Sequence, residues 1–480
     1  MGWASDEFKD VDLGDKRLDE RLVNMCDTFS ESPESSINHA CEDWGETKAA
    51  YRFFQNDNVD VDKIIKAHRL KTFTRASKHE TVLAIQDTSY IMYTNHPKTK
   101  GLCKISTRSK KSDADRKYAK GLVMHACLAV TTKGTPLGLL DQNIYARKTR
   151  SEVKAKTQDE RNIPVEEKDS FRWIKSMANY QNFSSLTNVV TVCDRECDFY
   201  DFFKSAEKMN STVLIRASQN RTVNKRSRCA RVNAVKLWDH IKSQQEIGSY
   251  VLDIKGVKKS KTTVGRTART AKMSVKFGEF KMNPPESINK HNTEALVELK
   301  MWAVYVLEID PPAGEAPVEW MLLTNQPVST MEQAQEKVYW YSLRWRIEMY
   351  FKVVKSGFNV EKCRLGTADR LIRYLTVMSV VAWRLFMITL IGRTNPSLSC
   401  AGFLSDQEVK VLEAKSTRKG QPPKPVATIA EAVIMIARLG GYLARKSDPP
   451  PGSITLWRGW KRLVDLTEGW EIAVTINTCG

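Results

Sequence analysis

The sequence predicts a multidomain α/β protein, and three observations predict it. Strand-like β-branched runs and helix-period segments alternate through the middle of the chain. Both ends carry helical periodicity without strand runs. The length, 480 residues, exceeds one ordinary domain. With 41% hydrophobic residues and 12 Trp, the chain can bury large cores. A formal net charge of +19 points to a polyanionic partner.

Residues 1–62 read as a small helical module broken by Asp, Ser and Asn, with Arg17, Arg21, Lys48 and Arg52 as exposed cations. Lone arginines on such a surface are usually just solvated. Residues 63–216 read as strand, strand, strand, helix, strand. The run Thr81-Val-Leu-Ala-Ile-Gln ends in Asp87, and Asn188-Val-Val-Thr-Val-Cys ends in Asp194. Between them, 121–130 and 136–145 flank a Thr-Lys-Gly turn and form a hairpin. Residues 171–180 form an amphipathic helix. This order matches the opening of an RNase H-like fold, and it sets Asp87 and Asp194 on adjacent central strands. His125 lies within a strand and is expected to be a core histidine.

Ligands gather at strand ends in helix-flanked sheets. Either aspartate alone could equally be a helix cap. Residues 217–325 exceed what a minimal RNase H-like fold needs, so they read as an inserted strand-rich subdomain. Two cationic runs lie in it: Arg221, Lys225, Arg226, Arg228 and Arg231, then Lys255, Lys258, Lys259, Lys261, Arg266, Arg269 and Lys272. A charge run is usually a solvated loop. Two on one insertion favour a phosphate-tracking surface. Arg216 ends the strand before the insertion. Trp320 precedes the strand that closes it and, by itself, reads as a core tryptophan.

The most specific feature follows. Read as one helix, Tyr341, Arg344, Glu348, Lys352 and Lys355 share a face. One carboxylate among cations and a phenol suggests a metal ligand held against a nucleic-acid backbone; the bland alternative is a salt-bridged surface helix. With Asp87 and Asp194, Glu348 completes a three-carboxylate set suited to a hard divalent ion.

Residues 374–391 are nearly continuously apolar, but Arg384 within them makes a membrane span costly. A buried helix behind the sheet is expected instead. From about 391, proline-rich breaks divide a helical region in which 429–443 form an amphipathic helix with a Gly440–Gly441 notch. Trp457, Trp460 and Trp470 recur after it. The ten cysteines lack zinc-like spacing and read as reduced thiols of a cytosolic protein. The start has neither the basic region nor the apolar stretch of a signal peptide.

At Asp87, Asp194 and the Tyr341/Arg344/Glu348/Lys355 signature, the chain resembles the DDE transposases of the insertion-sequence-four family. The resemblance extends over nearly the whole chain. It includes Leu13-Gly-Asp-Lys-Arg17-Leu-Asp-Glu-Arg21, Thr47-Lys-Ala-Ala-Tyr51-Arg52, Glu319-Trp320-Met-Leu-Leu-Thr324, Ile436-Ala-Arg-Leu-Gly-Gly-Tyr442 and Leu456-Trp-Arg-Gly-Trp460.

The resemblance implies three parts: an end-recognition domain (1–62), an RNase H-like catalytic domain (63–390, insertion 217–325) and a C-terminal dimerisation domain (391–480). It implies that Asp87, Asp194 and Glu348 hold two Mg²⁺ or Mn²⁺ ions. Tyr341, Arg344, Lys352, Lys355, Arg364 and Arg216 would contact DNA, and Trp320 would stack on a flipped base. Arg17, Arg21 and Arg52 would read the transposon end. A basic and aromatic pair expected after the second helix is replaced here by Glu31 and Ser32, so the end sequence or its contacts should differ.

The implied activity is cut-and-paste transposition by a homodimer on double-stranded transposon ends and target DNA, in a bacterial cytoplasm. Three other readings stay open from sequence: an RNase H-like nuclease without strand transfer, a non-catalytic DNA-binding derivative, and a structural RNA-binding protein.

Overall fold

The computed structural model describes residues 2–32, 35–41, 43–105, 119–147, 164–181, 183, 187–223, 235–254, 256, 265–285, 297–416 and 424–478. The helices are α1 (Trp3–Glu7), α2 (Lys16–Glu31), α3 (Ile37–Ala40), α4 (Trp44–Gln55), α5 (Val61–Ala76), α6 (Phe171–Tyr180), α7 (Tyr200–Lys208), α8 (Leu237–Lys242), α9 (Met331–Ser342), α10 (Trp345–Lys352), α11 (Ala368–Thr394), α12 (Asp406–Ser416), α13 (Ile429–Leu439) and α14 (Ser453–Thr478). The strands are β1 (Thr81–Met92), β2 (Cys103–Ile105), β3 (Ala119–Thr131), β4 (Pro136–Tyr145), β5 (Asn188–Cys193), β6 (Thr212–Arg216), β7 (Thr222–Val223), β8 (Val235–Lys236), β9 (Gly248–Ile254), β10 (Arg269–Met282), β11 (Leu299–Ile309) and β12 (Glu319–Thr324).

Two compact units divide the chain. One comprises Met1–His79, Thr88–Lys154 and Arg346–Gly480; the other comprises Glu80–Asp87 and Ala155–Trp345. The second unit holds a mixed sheet in the order β1-β5-β6-β12-β11-β10, with β9 on β10. β1, β5 and β6 run parallel. β6–β12, β12–β11 and β11–β10 are antiparallel. The strands expected to form a separate inserted subdomain thus extend the same sheet, because β12 zips onto β6 with Leu323 opposite Ile215. The helix expected at 171–180 is present as α6.

β1 does not end at Asp87. It runs on to Met92, and the chain just beyond bonds β3, Tyr93 N–H donating to Lys120 O at 2.8 Å. β3 and β4 form the expected hairpin, with register shifts between Cys127 and Leu128 and between Ala129 and Val130. His125 is fully buried in β3, its Nδ1 2.9 Å from Thr88 Oγ1, and is a core histidine.

α5 precedes the first expected strand and was not read from the sequence. Its buried face carries His68 and Thr72 beside Ile64, Ile65 and Ala67, so no clean apolar stripe announces it. Asp60 caps it, accepting from Asp62 N–H at 2.8 Å. The buried-helix expectation for 374–391 holds within α11. By length and composition this helix could cross a membrane, but it is largely buried inside its unit. Arg384 lies 4.9 Å from the Trp3 ring, and burial brings its guanidinium down to about 10.

α13 stops at Leu439, short of the expected Leu443, and the glycine notch is filled from within the chain. A Cβ on Gly440 would meet Thr455 O at 1.9 Å, and one on Gly459 would meet Ile436 O at 1.7 Å, so α13 and α14 cross backbone to backbone. The eight cysteines that are described are all free thiols.

Candidate active site

Parallel register positions the two aspartates. β1 and β5 pair from Thr81 opposite Asn188 to Ile85 opposite Val192. Asp87 and Asp194 continue the same offset two residues on. Asp87 lies within β1, on the face of Ile85, and Asp194 directly follows β5. Adjacent strands lie ~4.8 Å apart, so the two strands lead their aspartates towards the same end of the sheet. The buried Cys193 thiol registers both: burial raises it, the charges of Asp194 and Asp87 add to the rise, and Arg344 opposes it.

Each carboxylate has a partner. Asp194 Oδ1 accepts from Glu196 N–H at 2.9 Å, capping the short turn Arg195–Cys197. Asp87 Oδ2 accepts from Arg344 Nη1 at 3.1 Å, and both side chains are mostly shielded, at 17% and 15% exposure.

The single helix expected over 341–355 is instead three pieces. Tyr341 closes α9, Arg344 sits in the turn after it, Glu348 lies in α10 and Lys355 lies on a π-helical turn, Val353–Gly357. At Arg344 the amide reaches back only three residues, to Tyr341 O at 3.0 Å, and this tightening ends α9. The one-face reading therefore fails as helix geometry. The consequence is local: the break lets Arg344 turn onto Asp87.

Around this pair the second unit builds a wall. Tyr341 is buried, with the Trp320 ring edge-on at 5.3 Å. Burial raises its phenol, and Arg344 and Arg216 pull it down. Arg216 donates to Glu319 O at 3.2 Å, and burial lowers its guanidinium.

The remaining expected residues belong to the other unit. Glu348 is half-buried, while Lys352 and Arg364 are exposed. Lys355 is lowered by burial, against the pull of Glu361. Arg17, 88% exposed, pairs with Asp15 at 2.8 Å; Arg52 is exposed and Arg21 half-buried. Among the described residues no group of three or more His, Cys, Asp or Glu side chains is arranged to hold a metal ion. What the fold assembles is the aspartate pair. Its oxygen donors fit a hard divalent cation.

Two supports escaped the sequence reading. Tyr180 on α6 bridges the strands below the aspartates, accepting from Gln86 Nε2 at 2.8 Å and lying 2.9 Å from Thr191 Oγ1. Asp198, buried, accepts from Ser218 N–H at 2.6 Å and Gln219 N–H at 2.9 Å and pairs with Arg221. It pins the chain leaving β6 just after Arg216. An amphipathic helix ending in Tyr, and a second Asp four residues after Asp194, were the available signals.

By fold and site this is a mixed α/β protein with one acid on a central strand and another directly after that strand's parallel neighbour. Family models match almost end to end: transposase DNA-binding over residues 1–59, transposase DDE domain over 97–383, and transposase Tn5 dimerisation domain over 380–480. The DDE match spans more than half of the chain, and the chain belongs to the DDE transposases. Asp194 and Glu348 fall inside that match, and Asp87 just before it.

Proposed function

We propose that this transposase works by cut-and-paste transposition of the insertion-sequence-four kind, with Asp87, Asp194 and Glu348 as its metal-holding acids. The observation that supports this reading is the parallel pairing of the strands that lead to Asp87 and Asp194, with a guanidinium already at Asp87. When bound there, two Mg²⁺ or Mn²⁺ ions supply Lewis-acid charge to the attacking and leaving oxygens of an in-line displacement at phosphorus.

The chain's own groups do the rest. Arg344, Arg216, Lys352, Lys355 and Arg364 offer charge to backbone phosphates, and guanidinium forks fit phosphate bidentately. Tyr341, held rigid by burial, fixes the orientation of Arg344 and Arg216. Trp320 supplies an aromatic surface for a base taken out of the stack, which offsets lost stacking. The DNA steps are nicking at the transposon end, hairpin formation, hairpin opening and joining to target DNA. Arg17, Arg21 and Arg52 read the end, and the C-terminal helices join two copies.

The test is cleavage of candidate end duplexes with Mg²⁺, scored for nicks, hairpins and joined products. Asp87→Ala, Asp194→Ala and Glu348→Ala should each abolish cleavage while leaving duplex binding intact. Cleavage retained in any one removes that residue from the acid set. Nicks without joined products would favour a nuclease.

A further inference from the structure

The ion pair between Arg344 and Asp87 joins a residue assigned to DNA to a residue assigned to metal. We propose that it is a latch: without DNA, Arg344 neutralises Asp87 and weakens the metal site, and an incoming phosphate draws the guanidinium away. This rests on the strand-pair acids being the metal-holding groups, as proposed above.

The geometry supports an exchange. Arg344 sits in the turn between α9 and α10, where its amide reaches back three residues to Tyr341 O at 3.0 Å. Its Nη1 donates to Asp87 Oδ2 at 3.1 Å. Phosphate and carboxylate suit the same planar fork, so the swap replaces one charged partner by another. Tyr341 and Arg216 back the guanidinium. A second cation beside it favours an anion arriving there.

A cation paired to Asp87 opposes a divalent ion twice: it occupies a lone pair, and it repels across a short distance in a shielded setting. Linkage then makes the effect mutual. Whatever factor DNA adds to metal affinity, metal adds to DNA affinity. Metal loading is thereby tied to the presence of a phosphate backbone.

The experiment titrates Mn²⁺ alone into the DNA-free full-length protein and reads free Mn²⁺ by electron paramagnetic resonance. Arg344→Ala should tighten Mn²⁺ binding about tenfold, the size of a typical coupling between sites. Asp87→Asn placed on Arg344→Ala should erase the gain. Arg344→Gln serves as a second variant, and circular dichroism melts confirm that each is folded. Arg216→Ala, which removes a nearby cation that bonds Glu319 O, should change affinity far less.

Unchanged or weaker binding in folded Arg344→Ala and Arg344→Gln overturns the latch. So does a gain that survives Asp87→Asn, or an equal gain from Arg216→Ala. If neither Asp87→Asn nor Asp194→Asn in the otherwise unaltered chain affects Mn²⁺ binding, the metal-site reading itself fails, and the latch with it.

Discussion

Trp320 and Glu7 are the single residues whose chemistry is most exposed to test. Trp320 is half-buried and touches Tyr341 by one edge, so its removal opens space without unseating a core. Trp320→Ala should slow hairpin formation by tenfold or more in line with the ~1–3 kcal/mol of base–aromatic stacking, while nicking changes little. Equal loss of both steps in a gel-resolved time course would remove the base-stacking role. Glu7 lies in a buried set: Arg75 reaches it at 2.7 and 2.9 Å, and His68 Nδ1 donates to it at 2.6 Å. His68 Nε2 meanwhile accepts from Leu139 N–H at 2.8 Å, which fixes the neutral ring. Burial would raise the Glu7 carboxyl, but His68 and Arg75 outweigh it and hold it at about 2. Burial lowers His68. Both shifts act in one direction. The unfolded chain takes up these protons at higher pH than the folded one, so stability is full near neutrality. It falls first as pH drops below the usual histidine range, then further from 4.5 towards about 2. Glu7→Gln should flatten the lowest-pH part of a melting-temperature profile. An unchanged profile would show that the set does not carry the acid sensitivity.

Among the elements, the α13–α14 crossing and the β1–β5 pair show what pattern reading can and cannot reach. A Cβ on Gly459 would stand 1.7 Å from Ile436 O, and backbone cannot yield as a side chain can. Gly459→Ala should therefore cost at least ~1–3 kcal/mol, the range of overpacking, and lower the melting temperature. A melting temperature equal to the parent's would mean that the helices do not cross so closely. Gly440 and Gly441 were legible as a notch, but a sequence cannot say which helix fills it. The adjacency of the Asp87 and Asp194 strands was legible because strands, a helix and a returning strand follow the order of an RNase H-like fold, whereas their register was not. The path of Tyr341 to Lys355 was not. Residue spacing at 3.6 continues through the segment while the hydrogen bonding changes at Arg344 and again at Val353, and no residue type there enforces either change. α5 was missed for a different reason, since His68 and Thr72 are buried by polar pairing and not by apolarity. β1 running on past Asp87 was likewise not announced: Thr88 Oγ1 lies 2.9 Å from His125 Nδ1 on β3, a polar contact that apolar patterning does not mark.

At the scale of the whole molecule, the +19 charge sets how this chain meets DNA, and the fold decides which cations contribute. The two cationic runs looked alike in sequence. Yet Arg221 is spent on Asp198, and Arg269 on Glu308, at 2.6 and 2.9 Å, and on Glu315. Those arginines hold the sheet together; they are not a phosphate track. Lys225, Arg226, Arg228, Arg231, Lys255, Lys258, Lys259 and Lys261 lie outside the described residues, and their assignment still rests on charge density alone. The two kinds of cation separate by experiment. Affinity for a mixed-sequence duplex should fall steeply with salt, with a log–log slope of about −0.9 per phosphate neutralised. Lys258→Gln with Lys259→Gln and Lys261→Gln should make that slope shallower and leave the melting temperature unchanged. Arg269→Gln should do the reverse, because it strips the partner from Glu308, a carboxylate only 3% exposed, while the duplex loses no contact. Fluorescence anisotropy across a salt series, run beside thermal melts, distinguishes the outcomes. If the lysine variant keeps the parental slope, the insertion does not track phosphate, and the charge that draws DNA resides elsewhere on the chain.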